Sequence, residues 1–412
     1  MVTVASVAGD DKAWASESAI DDMKKRIAIA LALLLLASQM GMAGQRARNV
    51  VLFIGDAGGL MVINLASAVG KGQPQSLFIQ HMPHIGLMET STASEWVADS
   101  AAAMTAIATG YKTHNGVISQ SADAVRGQKD GAPLKTILEY AEEHGLSTGL
   151  ITDDDVSAAT PAACYAHAND RKKASDIFLQ LLEPRFGDGV DILIGEGKTV
   201  MNENPSSVWE PIEANLQGQS YDVVTSLDQF QPNAKRAIVL LGPEDFDMSA
   251  AIRRTRAILS RNKKGYFLMV EVDTHTTQVK RGLERMVLLD KLVEETVKSA
   301  GTDTLVIFSA DHSFGTRLSG GKKGEQILPA EPVAGQPPPT PPASPPIRIG
   351  EGHTGEEVVV AAQGPGAERV KGFFPNTQLF RIMMAAYGWK ETPSNRDRVA
   401  APKTDSKAPG GD

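Results

Sequence analysis

The sequence predicts an α/β protein with a three-layer architecture, a mostly parallel central sheet flanked by helices. Two observations carry this. Short apolar, β-branched runs alternate with longer amphipathic stretches, the pattern of β-α units around a buried sheet. Several of these runs also end in polar clusters, and in open α/β sheets ligands bind beyond the carboxyl ends of the strands. Composition agrees, with 42% hydrophobic and 22% charged residues over 412 positions, which excludes wholesale disorder and a collagen-like chain.

The strands are expected at Val50 to Ile54, Ser147 to Thr152, Val190 to Ile194, Ala237 to Leu241, Tyr266 to Val270, Thr304 to Phe308 and Glu357 to Ala361, with helices such as Leu134 to Glu143 and Leu283 to Val297 between them. Ahead of the first strand, Lys24, Lys25 and Arg26 precede the apolar run Ile27 to Leu36 and the small residues of Gly41-Met42-Ala43. That is the order of a secretory signal peptide, with Met23 as its natural start and residues 1–22 as an upstream extension. The run is too short for the roughly 20 residues that span a bilayer, so no stable membrane anchor is expected. Export makes the periplasm or the exterior the expected location. A single domain is expected over 44–390, interrupted by a Pro-rich insertion at 329–346 and followed by a polar tail at 391–412.

A net charge of −8 repels nucleic acid and anionic membrane surfaces. The single cysteine, Cys164, excludes an intrachain disulfide and any thiolate zinc cluster, leaving histidine and carboxylate as metal ligands. We expect it to be a buried packing residue.

Such ligands stand at the strand ends. Asp56 closes Asn49 to Asp56 and is followed by Gly58 and Gly59, which let a metal approach, though an aspartate before two glycines is also ordinary turn chemistry. Asp153 to Asp155, Glu271 with Asp273 and His275, and Asp311-His312 end later strands, and His353 lies in a glycine-rich segment. Mixed histidine and carboxylate ligands suit zinc, and a carboxylate with a hydroxyl suits magnesium. Asp99-Ser100 opens the Ala-rich helix former that runs to Thr109. It reads as a plain N-cap, and equally as a serine placed where free N–H groups and the helix dipole favour a phosphate.

The chain resembles the alkaline phosphatase family from about Asn49 to Trp389. The matching blocks are Phe53-Ile54-Gly55-Asp56, Asp99-Ser100-Ala101 with Ala108-Thr109-Gly110, Ala159-Thr160-Pro161-Ala162-Ala163 with Ala166-His167, Ala310-Asp311-His312, and His353-Thr354-Gly355-Glu356 with Gly364-Pro365-Gly366-Ala367. The resemblance implies hydrolysis of small phosphate monoesters with an alkaline optimum, through a phosphoserine on Ser100. Asp99 would orient the phosphate-binding Arg171. It implies two zinc ions, one held by Asp56, Asp311 and His312 and the other by Asp273, His275 and His353, and one magnesium at Glu271, Thr160 and Asp56. A homodimer is common in the family. Phosphodiester hydrolysis on the same metal pair, or a feeble phosphate- or metal-binding role, are the alternatives.

Two positions depart from the family pattern. Where the family has Asp or His two residues before Thr160, this chain has Ala158, which opens the magnesium site to question; Asp154 or Asp155 is the substitute at hand. Where the family has three residues between aspartate and histidine, Asp273 and His275 are separated by one, with Thr277 at the alternative spacing. His81, His84, His114 and His144 match no ligand block and are expected at the surface or in packing.

Overall fold

In the chain's computed structural model, residues 23–25, 46–197, 200, 206–243, 246–323, 327–328 and 346–391 are described. The expected signal segment after Lys25, the Pro-rich insertion through Pro345 and the tail after Glu391 lie outside them. Ten strands build one sheet: β1 (Asn49–Asp56), β2 (His84–Glu89), β3 (Ser147–Asp155), β4 (Ile192–Glu196), β5 (Tyr221–Val224), β6 (Arg236–Leu241), β7 (Tyr266–Asp273), β8 (Thr304–Ala310), β11 (Val358–Gln363) and β12 (Gly372–Pro375). The remaining two, β9 (Ser313–Leu318) and β10 (Ile347–Thr354), pair as a separate antiparallel ribbon. The order across the sheet is β12-β2-β11-β8-β1-β7-β3-β4-β6-β5, and all of its pairings are parallel except the two made by β11.

The apolar runs are continuous because the central strands are covered on both faces. Along β1, Val50, Leu52 and Ile54 face one core and Val51 and Phe53 the other. The first core includes residues of helices α2 (Ser100–Thr109), α3 (Ile137–Glu143), α4 (Ala159–Tyr165) and α9 (Thr377–Tyr387), and the second residues of α1 (Leu60–Leu65), α7 (Met248–Leu259) and α8 (Val279–Ser299). Three layers result, with α5 (Ala174–Leu179) and α6 (Ser206–Gly218) filling out the helical complement.

All seven expected strands are present, with shifted ends. The helix expected from Leu134 starts at Ile137 because Thr136 caps it: its hydroxyl accepts from the Glu139 N–H at 3.1 Å and Glu139 Oε2 accepts from the Thr136 N–H at 2.9 Å. Strand β11 runs against its neighbours for a topological reason. Chain leaving β8 passes into the β9/β10 ribbon and returns to the same edge; among the described residues no helix lies between β8 and β11, and a return to the same edge without a crossover helix re-enters antiparallel. That return delivers His353 to the edge where β1, β7 and β8 end.

Candidate active site and metal centre

Three adjacent strands finish together. Register sets Asp56 of β1 opposite Asp273 of β7 and Gly55 opposite Ala310, so Asp311 and His312 follow directly at the end of β8. The turn after β1 is tight. Ala57 takes a left-handed conformation (φ 61°), and its N–H donates to Asp311 Oδ1 at 3.2 Å. A β-carbon on Gly58 would meet the Gly55 carbonyl at 2.9 Å, and Gly59 packs against Ser313, so neither position admits a side chain without displacement.

Asp56, Asp311 and His312 form one compact donor cluster. Their ligand atoms lie within 4.8 Å of one another, with His312 Nε2 3.3 Å from Asp56 Oδ1 and 3.4 Å from Asp311 Oδ2. Both of those carboxylate oxygens are buried without a hydrogen-bond partner. Buried acceptors are normally satisfied, so two orphans converging on an imidazole nitrogen fit a divalent cation. A second group adjoins. His275 Nδ1 is 2.8 Å from Asp273 Oδ1 and 3.7 Å from Asp56 Oδ1, and its Nε2 is 3.5 Å from His353 Nε2. The His353 ring stacks on His312 with centroids 3.7 Å apart, held by a contact of 2.9 Å between its Nδ1 and the Ala98 carbonyl.

The electrostatics match this donor set at two of its three histidines. Burial holds His312 below the usual histidine range against the pull of Asp56, and burial with the neighbouring His312 does the same to His353. Both imidazoles are therefore kept neutral, the form that binds metal. Burial works against His275 too, but the Asp273 hydrogen bond and the Asp56 charge raise it to about 9. Burial and then the Asp56 charge push Asp311 well above the carboxylate range, and Glu271 is raised by burial, Asp56 and Asp154. Carboxylates crowded this way call for a counter-cation.

Ser100 begins α2, where its Oγ sits 3.4 Å from Asp56 Oδ2 and 3.2 Å from His312 Nε2. Asp99 does two things at once. Its Oδ1 caps α2 by accepting from the Ala102 N–H at 3.0 Å, and its Oδ2 holds Arg171 Nη1 at 3.2 Å. Thus the cap and the positioning of an arginine coexist in one carboxylate. Arg171 is about one-third exposed.

The third group is less closed. Glu271 is buried and accepts from Thr152 Oγ1 at 2.6 Å, while Thr160 has a buried hydroxyl with no partner at the start of α4, which packs on β3 and β7. Ala158 contributes no ligand at its N-cap. Asp155 Oδ1 is taken by the N–H and hydroxyl of Ser157 at 2.9 and 2.5 Å, whereas Asp154 is raised by burial and then by the charges of Asp56, Asp155 and Asp273, and its own charge helps to raise Glu271.

Several supporting residues carry no local sequence signal. Asn115 accepts from the Asp99 N–H at 2.8 Å and donates to the Val97 carbonyl at 3.0 Å, bracing the segment before Ser100. Thr274 binds the Asp56 carbonyl through both its N–H and its hydroxyl, at 3.0 and 2.7 Å. Asp153 accepts from the Asp273 N–H at 2.8 Å and pairs with Arg285. Two are exceptions: Asp153 stands among the strand-end acids read from the sequence, and Arg285 has a readable sign too, a cation embedded in the apolar stripe of α8 between Leu283 and Met286. Of the histidines outside the ligand blocks, His114 joins Ser94 at 2.8 Å and the Ala122 carbonyl at 2.9 Å, and His144 stacks on Trp389. Cys164 is buried.

The sequence model of the family described as Alkaline phosphatase matches residues 47–239 and 242–337. Among similar proteins, Alkaline phosphatase 4 of Bacillus subtilis is 27% identical over 82% of this chain and 88% of its own length. The alkaline phosphatase of Gadus morhua is 28% identical over 65% of this chain and 69% of its own. The structure of the alkaline phosphatase from the Antarctic bacterium TAB5 superposes with a TM-score of 0.68 at 23% identity, covering 84% of this chain and all of that one. That of Thermus thermophilus alkaline phosphatase gives 0.68 at 21%, covering 84% and 93%. Proteins so named are phosphoric monoester hydrolases and act with metal ions. By this match, and with the same fold, the chain belongs to the alkaline phosphatase family.

Proposed function

We propose that the chain hydrolyses small phosphate monoesters through a phosphoserine formed on Ser100, with two zinc ions and one magnesium as cofactors. Asp56, Asp311 and His312 would hold one zinc, Asp273, His275 and His353 the other, and Glu271, Thr160 and Asp56 the magnesium, with Asp154 the nearest substitute for the side chain that Ala158 lacks. A histidine-to-aspartate variant of the TAB5 enzyme has Mg bound in its M3 site. Such ions supply charge neutralisation for attacking and leaving oxygens and lower the pKa of a bound hydroxyl or water toward about 7.

The chain's own groups do the rest. Ser100 Oγ, at the amino end of α2, attacks the phosphorus as the ester oxygen leaves. Arg171, aimed by Asp99, binds two non-bridging oxygens in a fork. Asp56 and His312, both within 3.4 Å of the serine oxygen, fix its direction of attack. Water then attacks the phosphorus opposite Ser100, releasing inorganic phosphate and restoring the hydroxyl. Activity on the alkaline side follows from the need to deprotonate both nucleophiles. The segment Lys24 to Ala43 supports export to the periplasm or beyond.

The observation that carries this reading is the Ser100 hydroxyl within 3.4 Å of Asp56 and His312, in a cluster where one oxygen each of Asp56 and Asp311 is left without a hydrogen-bond partner. The test is metal analysis together with phosphate release from an aryl phosphate at alkaline pH. We expect bound zinc and turnover in the parent, and loss of at least about 10³-fold in kcat for Ser100→Ala; equal rates would remove Ser100 as nucleophile.

A further inference from the structure

The β9/β10 ribbon carries chemistry that hydrolysis at Ser100 does not use. Arg348 stands directly across from Arg317 in its register, and both are exposed. Among the described residues no acid pairs with either guanidinium, and like charges opposed across two strands repel. Two residues nearer the site, on the same side of each strand, are Gly315 and Gly350. They lie backbone to backbone, so that a β-carbon on Gly315 would come within 2.9 Å of the Gly350 Cα. A cleft of about 350 Å³ is lined by these four residues together with His353, Thr354 and the exposed Glu351, whose single carboxylate is outnumbered by the two guanidiniums. The Thr354 hydroxyl is buried there without a hydrogen-bond partner, as is that of Ser313, its register partner. His353 stacks on His312, so the cleft reaches the reaction centre.

Two facing, unpartnered guanidiniums are relieved by an anion between them, and their planar forks match phosphate oxygens. We propose that this cleft binds a second phosphate group of the substrate, so that bisphosphorylated esters are the preferred class. The inference rests on the phosphomonoesterase reading above. Arg348 precedes His353 by five residues, and allowing for strand rise and the arginine's own length the two phosphates stand on the order of 10 Å apart.

The test compares hexyl phosphate with hexanediol bisphosphate, which has the same alkyl chain and a phosphate at each end. For the metal-loaded full chain we expect a KM for the bisphosphate lower by about tenfold or more. The double variant Arg317→Gln/Arg348→Gln should erase that difference and leave hexyl phosphate hydrolysis unchanged. Equal KM values in the parent, or equal losses on both substrates, would overturn the subsite. Absence of hexyl phosphate turnover would instead count against the phosphomonoesterase reading. In that event calorimetric titration with hexanediol bisphosphate still decides the cleft: about tenfold weaker binding by the double variant supports it, and equal binding overturns it. Since the substitutions remove a like-charge pair, the variant should melt no lower than the parent, which separates lost binding from lost folding.

Discussion

The two edges of the same three strands make opposite use of buried polar groups. At the amino edge of β1, β7 and β8, Asn49 donates to Thr304 Oγ1 at 3.0 Å and accepts from the Tyr266 N–H at 3.2 Å, the Tyr387 hydroxyl donates to the Tyr266 carbonyl at 2.7 Å, and Arg48 pairs with Asp303 at 3.0 Å. At the carboxyl edge, Asp56 Oδ1 and Asp311 Oδ2 have no hydrogen-bond partner and the carboxylates are crowded. The amino edge is complete as polypeptide and the carboxyl edge is not. The difference teaches that burial of polar side chains marks function only where the donors and acceptors fail to close on themselves.

The sharpest way to break this comparison is one substitution at each edge. Asp56→Asn should lower kcat for an aryl phosphate by at least about 10³-fold, yet raise the urea midpoint of chelator-stripped protein, because it removes a charge from a crowded cluster. Asn49→Ala should cost about 1–3 kcal/mol in urea melts whether zinc is present or stripped, and leave kcat unchanged. A dependence of the Asn49→Ala cost on metal would dissolve the contrast.

Next in size is Arg171, whose ion pair with Asp99 belongs to the carboxyl edge. We expect Arg171→Ala to lower kcat/KM for an aryl phosphate by about ten- to a hundredfold, with melting little altered because the side chain is partly exposed. A substitution that moves stability but not kcat/KM would place Arg171 with the structural groups.

The smallest expected effect sharpens the amino edge. Glu142 is buried beside the start of β3, accepts from Thr148 Oγ1 at 2.6 Å, and is pushed up to about 8, chiefly by burial. An acid whose folded pKa exceeds its unfolded value stabilises the fold below the unfolded pKa, and that contribution is lost as pH rises through the folded one. Stability should therefore fall between about pH 4.5 and 8. Glu142→Gln keeps an acceptor for Thr148 and should flatten that slope, read as urea midpoints at several pH values; identical slopes would show Glu142 ionising normally.

Much of the fold could be read along the chain because doubly covered strands need unbroken apolar runs, as in Val50 to Ile54 and Thr304 to Phe308. Strands β2, β5, β9, β10 and β12 escaped. Their burial is mixed, as in the β2 segment His84–Glu89 and the β10 segment Ile347–Thr354, so the period-2 signal is diluted. Residues at strand ends and the helix start were legible as candidates, and the structure brings Asp56, Ser100, Asp311 and His312 together. Thr152, Thr274 and Asn115 were not, since a single hydroxyl or amide in a loop or strand looks the same whether or not a ligand rests on it.

The sequence by itself determined the layer architecture and which edge would collect the reactive side chains, because periodicity and strand-end polarity are local properties. Only tertiary structure decided that His275, two residues after Asp273, still reaches His353, that Asp99 divides its oxygens between a helix cap and Arg171, and that Arg317 faces Arg348. These depend on strand register and on the return of β10 to the sheet edge, which join positions 31 to 78 residues apart and so leave no periodic trace in the chain.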